Sequence, residues 1–331
     1  MSPSRQPGAQ LPTLACLGLW AGVCLGVALY ASWHGYGGRG FAATLTVFAF
    51  LLAAVLFPAA RGVSEWLGAM FGSGTGYLLG AAAYLAYLLY ALENGVLAFR
   101  PAGIAAALVF LPLLLAASAE GAAPGAWQDF LTLAGLWAAV KFLPLRELLA
   151  LPSGQPGHIL AVLLALTIAL AAFLFARRVD GTGYALGWGR GWGLYILGSF
   201  AVFLVIAAPL GQAIHFIRFE PQLQAWRTIP ITALGIFFFT AWPEEFFFRG
   251  LLQNLLSRAS KSEFAGWWTA ALLFGLAHIT NSGFPNWRYA LLAAIAGLCY
   301  GWAWRKSGSI FASALVHTLV NVTWHFFFRT L

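Results

Sequence analysis

Residues 159–176 read ILAVLLALTIALAAFLFA, eighteen positions without one ionisable side chain. A run of that length and character spans the hydrocarbon core of a bilayer as a single helix. The rest of the chain repeats the pattern. Of its 331 residues 61% are hydrophobic and 8% are charged, and its mean hydropathy is +0.81. An ordinary soluble domain carries roughly a quarter of its residues as charges, so a soluble enzyme, a disordered chain and a secreted disulfide scaffold are all excluded. The apolar residues come in unbroken blocks and do not alternate, which also argues against an outer-membrane barrel. The fold class is all-α, a polytopic helical membrane protein.

Working outward, runs long enough to span lie at 11–33, 41–59, 77–98, 104–117, 127–143, 159–176, 193–210, 229–248, 266–279, 289–303 and 310–328. That predicts about eleven transmembrane helices, within a range of 9 to 11, with 104–117 and 127–143 short for the roughly 20 residues a span needs. The first run is long for a signal peptide and has no clear cleavage site, so a retained transmembrane helix is expected there. Residues 211–228 turn amphipathic and are broken by Pro221, as in a segment lying along the membrane interface. The predicted division is therefore 1–210, N-terminal transmembrane helices of unassigned role; 211–228, interfacial; and 229–331, a helical core bearing the chemistry.

The formal net charge of +8 comes from cations scattered singly or in pairs between apolar runs. They read as topology determinants, and no nucleic acid is expected as a partner. With eleven spans, the turns holding Arg177 and Arg178, Arg258 and Lys261, and Arg305 and Lys306 fall on one side, which the positive-inside bias makes cytoplasmic. Cys16, Cys24 and Cys299 lie inside apolar runs without a CxxC pair and read as buried fillers.

Ionisable residues before Gly211 sit at the ends of apolar runs or between them, Glu93 apart. After Ile229, Glu244, Glu245, His278, His317 and Asn321 interrupt apolar helices, where a carboxylate at mid-membrane costs about 2.5 to 3.5 kcal/mol even on insertion scales. In Trp242-Pro243-Glu244-Glu245-Phe246-Phe247-Phe248-Arg249-Gly250, Glu245 and Arg249 are spaced to pair on one helix face. Glu244 then points about 100° away, toward a neighbouring helix. Pro243 leaves the carbonyl of Phe239 without its α-helical partner, which predicts a kink that lets water in. The rival reading is mutual neutralisation of Glu245 and Arg249 with Glu244 snorkelling to the interface. Phe274 and His278 share a face, as do His317 and Asn321, with Trp324 a turn further on and His325 expected at the interface. Taken singly, His278 is weak evidence, and Asn321 has helix–helix hydrogen bonding as its rival explanation. Counting ten residues, or about 15 Å of helix, inward from Asn254, Trp268 and Ser307 reaches Glu244, His278 and His317 at one depth.

A carboxylate that takes a proton from water, a histidine that orients it, and His and Asn donors for an oxyanion meet the needs of hydrolysis. Glu244, His278 and His317 are equally the ligand types of a catalytic zinc, should a metal be present, although the HExxH spacing is missing. No serine lies in the motifs, so Ser-His-Asp catalysis is not expected. Asn321 has no place in a zinc ligand set, and a metal-free mechanism is the preferred one of the two.

The ordered set Glu244-Glu245-xxx-Arg249, Phe274-xxx-His278 and His317-xxx-Asn321 closely resembles the CAAX prenyl protease and bacteriocin-processing family (CPBP, Abi) of intramembrane endopeptidases, over roughly 229–328. The phrase from Pro243 to Gly250 looks like the branch that accompanies bacterial exosortase systems. The resemblance implies catalytic roles for Glu244, Glu245, Arg249, His278, His317 and Asn321. It implies a membrane protein or lipidated peptide as substrate, location in the cell (inner) membrane, and a possible exosortase-type sorting partner. The alternatives are a non-proteolytic immunity or sorting partner with the same fold, or a proton-coupled transporter. A transporter would usually show internal repeats, and none is present in the sequence.

Overall fold

A computed structural model of the chain describes residues 9–142, 148–151 and 157–331. Residues 1–8 of the predicted N-terminal division and the last residue of the 127–143 run lie outside them. The described residues form helices almost throughout, in two compact units, one of Gln10–Asp180 and one that holds Gly181–Leu331.

The first unit contains α1 (Thr13–Trp33), α2 (Gly38–Ala59), α3 (Val63–Phe71), α4 (Gly74–Glu93), α5 (Phe99–Ser118), α6 (Trp127–Phe142) and α7 (His158–Ala176). Its centre is α7, the run that opened the reading. That helix is 72% buried, while α1 is only 11% buried and turns Leu14, Leu25 and Leu29 outward as a lipid-facing helix does. Gly76 of α4 lets the two backbones touch, since a Cβ there would lie 2.4 Å from the carbonyl oxygen of Ala171. Small residues permit such close crossings in membranes, where no hydrophobic force drives helices together. The unit's buried ion pair joins Arg177 Nε to Asp129 Oδ1 at 2.9 Å. Asp129 also accepts the N–H groups of Gly125 and Ala126, and Arg177 donates to the Ala122 carbonyl. Both charges are thereby satisfied out of water.

The second unit contains α8 (Trp192–Ala213), α9 (Gln224–Ala259), α10 (Glu263–Ala277), α11 (Trp287–Ser307) and α12 (Ile310–Phe327). α11 runs through the middle, packed on α8, α10 and α12. Gly275 and Gly297 bring α10 and α11 together. A Cβ on Gly275 would meet the Ala290 carbonyl oxygen at 2.5 Å, and one on Gly297 would meet the backbone of Ala271 at 3.1 Å. Gly308, at φ +68°, ends α11 in the left-handed conformation that suits glycine, and Ser309 caps α12 by accepting the Phe311 N–H. Leu194, Leu197 and Val205 of α8 face outward, again as lipid-facing side chains.

Each of the eleven expected spans is a helix, and eight helices among the described residues are long and apolar enough to cross a membrane. α10 falls short with 15 residues, and α6 has 16 among the described residues. α11 has 21 residues, but Trp, Tyr and the cations Arg288, Arg305 and Lys306 dilute its apolar content. α5, expected to be short, reaches 20 residues because Pro101 is accommodated in its first turn, where its missing N–H is not needed. This is an all-α, multi-pass membrane protein.

The unit holding the C-terminal motifs begins at Gly181, and α8 packs with the helices that follow it. Residues 211–228, expected to lie along the membrane interface, are of mixed local structure. α8 continues to Ala213, then β1 (Ile217–Phe219) pairs antiparallel with β2 (Phe328–Thr330), with Arg218 opposite Arg329, before a 3₁₀ turn enters α9. Glu220 neutralises that juxtaposition. It hydrogen-bonds Arg218 and lies 3.6 Å from Arg329, and the Arg218 bond holds its carboxyl below the usual range.

Candidate active site

α9 carries the first motif, and its backbone is unusual there. Trp242–Glu245 is α-helical, but it is flanked by π-helical stretches, Phe237–Ala241 and Phe246–Gln253. Pro243, where a kink was expected, thus sits between two widened stretches of helix. Proline removes the donor four residues after Phe239, and a register five residues long supplies another, as with the Trp242 N–H bonded to the Phe237 carbonyl.

Glu245 and Arg249 point into the protein and are fully buried. Arg249 Nε lies 3.2 Å from Glu245 Oε2, Arg249 Nη2 donates to the Gly297 carbonyl at 3.1 Å, and the guanidinium sits 4.5 Å over the Phe274 ring. The pair does more than neutralise itself. Glu245 Oε1 accepts from His317 Nδ1 at 2.9 Å, and Glu245 Oε2 accepts from the Ser313 hydroxyl. Ser313 is buried behind His317 on α12, one turn earlier. It went unnoticed in the sequence because serine is common in membrane helices and its spacing from His317 gains meaning only once Glu245 is placed opposite.

Glu244 turns the other way, into a cavity of about 410 Å³ that Thr240, His278, His317 and Asn321 also line. Its Oε2 is out of contact with solvent and has no hydrogen-bond partner in the protein; the nearest cation candidate is His317 Nε2, at 4.0 Å. An orphaned buried carboxylate oxygen is costly and calls for an explanation.

The two histidines are held by their Nδ1 atoms. α10 stops at Ala277, so His278 caps its end and is freed from the helix; its Nδ1 lies 2.7 Å from the Phe274 carbonyl. A carbonyl only accepts, so Nδ1 carries the proton and Nε2 of the neutral ring is an acceptor. His317 donates from Nδ1 to Glu245 in the same way, and its ring stacks on Tyr300 at 4.5 Å. Its Nε2 therefore donates to a ligand only when that nitrogen is protonated as well. Asn321, a turn further along α12, makes no hydrogen bond to another helix among the described residues. Helix–helix bonding therefore does not account for it.

Within this unit the structure thus brings Glu244, His278, His317 and Asn321 onto one cavity and places Glu245 and Arg249 behind it. Sequence reasoning missed two neighbours. Asn281 lies in the turn after His278, and Tyr289 of α11 packs its ring 5.2 Å from the His278 ring. His325, expected at the interface, also lines the cavity. Among the described residues no three His, Cys, Asp or Glu side chains converge as a metal site would require. Glu244, His278 and His317 as placed do not fit a zinc ligand set.

An all-α multi-pass membrane protein with a carboxylate and two imidazoles on a cavity among its helices is the class these features define. Residues 225–323 match the family model described as Rce1-like, type II CAAX prenyl endopeptidase Rce1-like. The matched stretch contains α9 through most of α12 and supports a place for these helices in the CAAX protease family. No curated protein and no solved structure matches the chain.

Proposed function

We propose that the protein is an intramembrane endopeptidase that hydrolyses a peptide bond of a membrane-associated protein, using water activated by Glu244. The observation that carries this reading is the unpartnered, buried Glu244 Oε2 facing a cavity shared with His278, His317 and Asn321. The match of residues 225–323 to a prenyl endopeptidase family supports the protease class.

In the reaction, Glu244 takes one proton from a water whose other hydrogen is held by His278 Nε2. The water oxygen bonds to the scissile carbonyl carbon, and the carbonyl electron pair moves onto its oxygen. That oxyanion is received by the Asn321 amide N–H and by His317 Nε2–H when the ring carries both protons. Collapse restores the carbonyl and breaks the C–N bond, with the proton held by Glu244 passing to the departing amine nitrogen. Such donors act where charge develops and in a site sheltered from bulk water, the setting in which they are worth most. Glu245, Arg249 and Ser313 hold His317 in position and do not touch the reacting atoms.

We place the protein in the cell membrane, and the phrase from Pro243 to Gly250 supports the narrower branch that accompanies exosortase systems. Glu244→Gln tests the core of the proposal. The substitution keeps shape and volume, so the purified variant folds as the parent does, while membrane proteomes from cells carrying it lack the cleaved products seen with the parent. Identical product profiles in the two would refute the role of Glu244 and favour a non-proteolytic sorting or immunity partner.

A further inference from the structure

The cavity extends beyond the groups that serve hydrolysis. Toward the end of α12 it is lined by Trp324, by Phe203 of α8 and by Phe216 from the turn before β1, and the small side chains of Ala293 and Ala296 of α11 also line it. Trp324 lies 6.4 Å from Phe203 and 6.5 Å from Phe216 between ring centres, so the three rings form one surface. Phe203 and Phe216 are 2% and 4% exposed, and are therefore held by their surroundings as a fixed wall. All three rings lie outside residues 225–323, the stretch that matches the family model. The cavity's other lining residues, His325 apart, lie inside that stretch.

We infer that this aromatic end is the substrate-selecting pocket, and that Phe203, Phe216 and Trp324 receive a bulky apolar amino-acid side chain of the cleaved peptide close to the scissile bond. The inference rests on the proposed peptidase reading. Trp324 follows His317 by seven residues and Asn321 by three, or about 10 Å and 5 Å along α12. An extended peptide advances about 3.3 Å per residue, so a group in the pocket belongs to a residue within about three positions of the bond held at His317 and Asn321. Pockets select by shape and by apolar contact, and one methylene in such a pocket changes specificity about 10- to 200-fold. The small Ala296 and the large Phe203 therefore act in opposite directions. A larger residue at 296 shrinks the pocket and a smaller one at 203 or 216 enlarges it.

The test uses the full chain in lipid nanodiscs with a pool of random-sequence peptides, each present both unmodified and carrying one S-prenylated cysteine, and products are read by mass spectrometry. The expected wild-type profile is enrichment of large apolar residues at one position within three of the cut, with or without the prenyl group. Ala296→Leu shifts that position toward smaller residues by at least tenfold, and Phe203→Leu and Phe216→Leu shift it toward larger ones. The opposed directions keep the test decisive if one variant is poorly folded, and each is first compared with the parent by circular dichroism. An unchanged preference in folded variants overturns the pocket assignment while leaving the peptidase reading intact. Cleavage that depends on the prenyl group and ignores the side chain overturns the choice of a side chain as occupant. Absence of any cleavage that Glu244→Gln abolishes refutes the peptidase reading, and the pocket assignment with it.

Discussion

Arg249 is the group whose removal is most informative about how the site is built. It is 1% exposed, its Nε lies 3.2 Å from Glu245 Oε2, and Glu245 is 0% exposed. At that separation and an effective dielectric of about 20, the attraction is about 5 kcal/mol, set against the cost of keeping both groups out of water. Removing one partner leaves the other charge buried, which costs about 3–5 kcal/mol. Arg249→Met keeps most of the volume beneath Phe274 and Tyr300, so the loss it reports is the charge. Glu245→Gln still accepts from His317 Nδ1 and strands Arg249 instead. Each single variant is expected to lose about 3–5 kcal/mol, and the double variant, with no buried charge, to be more stable than either. Equilibrium unfolding in mild detergent, checked by thermal melting, measures all four proteins. Additive losses, with the double variant the least stable, would refute the reasoning, because the two side chains would then act independently. If Arg249→Met melts like the parent yet is inactive, Arg249 acts on the substrate and not through Glu245.

Three further outcomes follow from the same geometry. Asn321→Ala removes an oxyanion donor and nothing that holds the helices together, so kcat falls about 10²- to 10³-fold with an unchanged melting temperature; a KM effect alone would move Asn321 to substrate binding. Treatment with a chelator leaves activity intact and elemental analysis finds no stoichiometric zinc, because the donors do not converge as a ligand set; zinc-dependent loss and recovery of activity would contradict this. Ser260, beside Arg258 and Lys261, is expected on the cytoplasmic side, so Ser260→Cys in intact cells resists a membrane-impermeant thiol reagent; labelling from outside reverses the orientation.

The residue pattern was enough to establish the class of fold. Apolar blocks of span length leave the backbone no choice but to satisfy its hydrogen bonds internally, and so the helices are legible one at a time from local sequence. The helical spacing likewise put Glu245 with Arg249 and turned Glu244 away, because that geometry is a property of a single helix. Other features depend on what lies across the unit, and no local pattern encodes them. The π-helical turns on either side of Pro243, the release of His278 at the end of α10, and the Ser313 hydroxyl on Glu245 are of this kind. The hydrogen bond from His317 Nδ1 to Glu245 joins residues 72 apart. It alone decides which nitrogen of His317 faces Glu244, and with that what His317 is able to donate. The cavity's aromatic wall is the plainest case. Phe203 and Phe216 read as ordinary apolar residues within and just after a span, and they become part of the site only because α8 and the turn before β1 pack against α11 and α12.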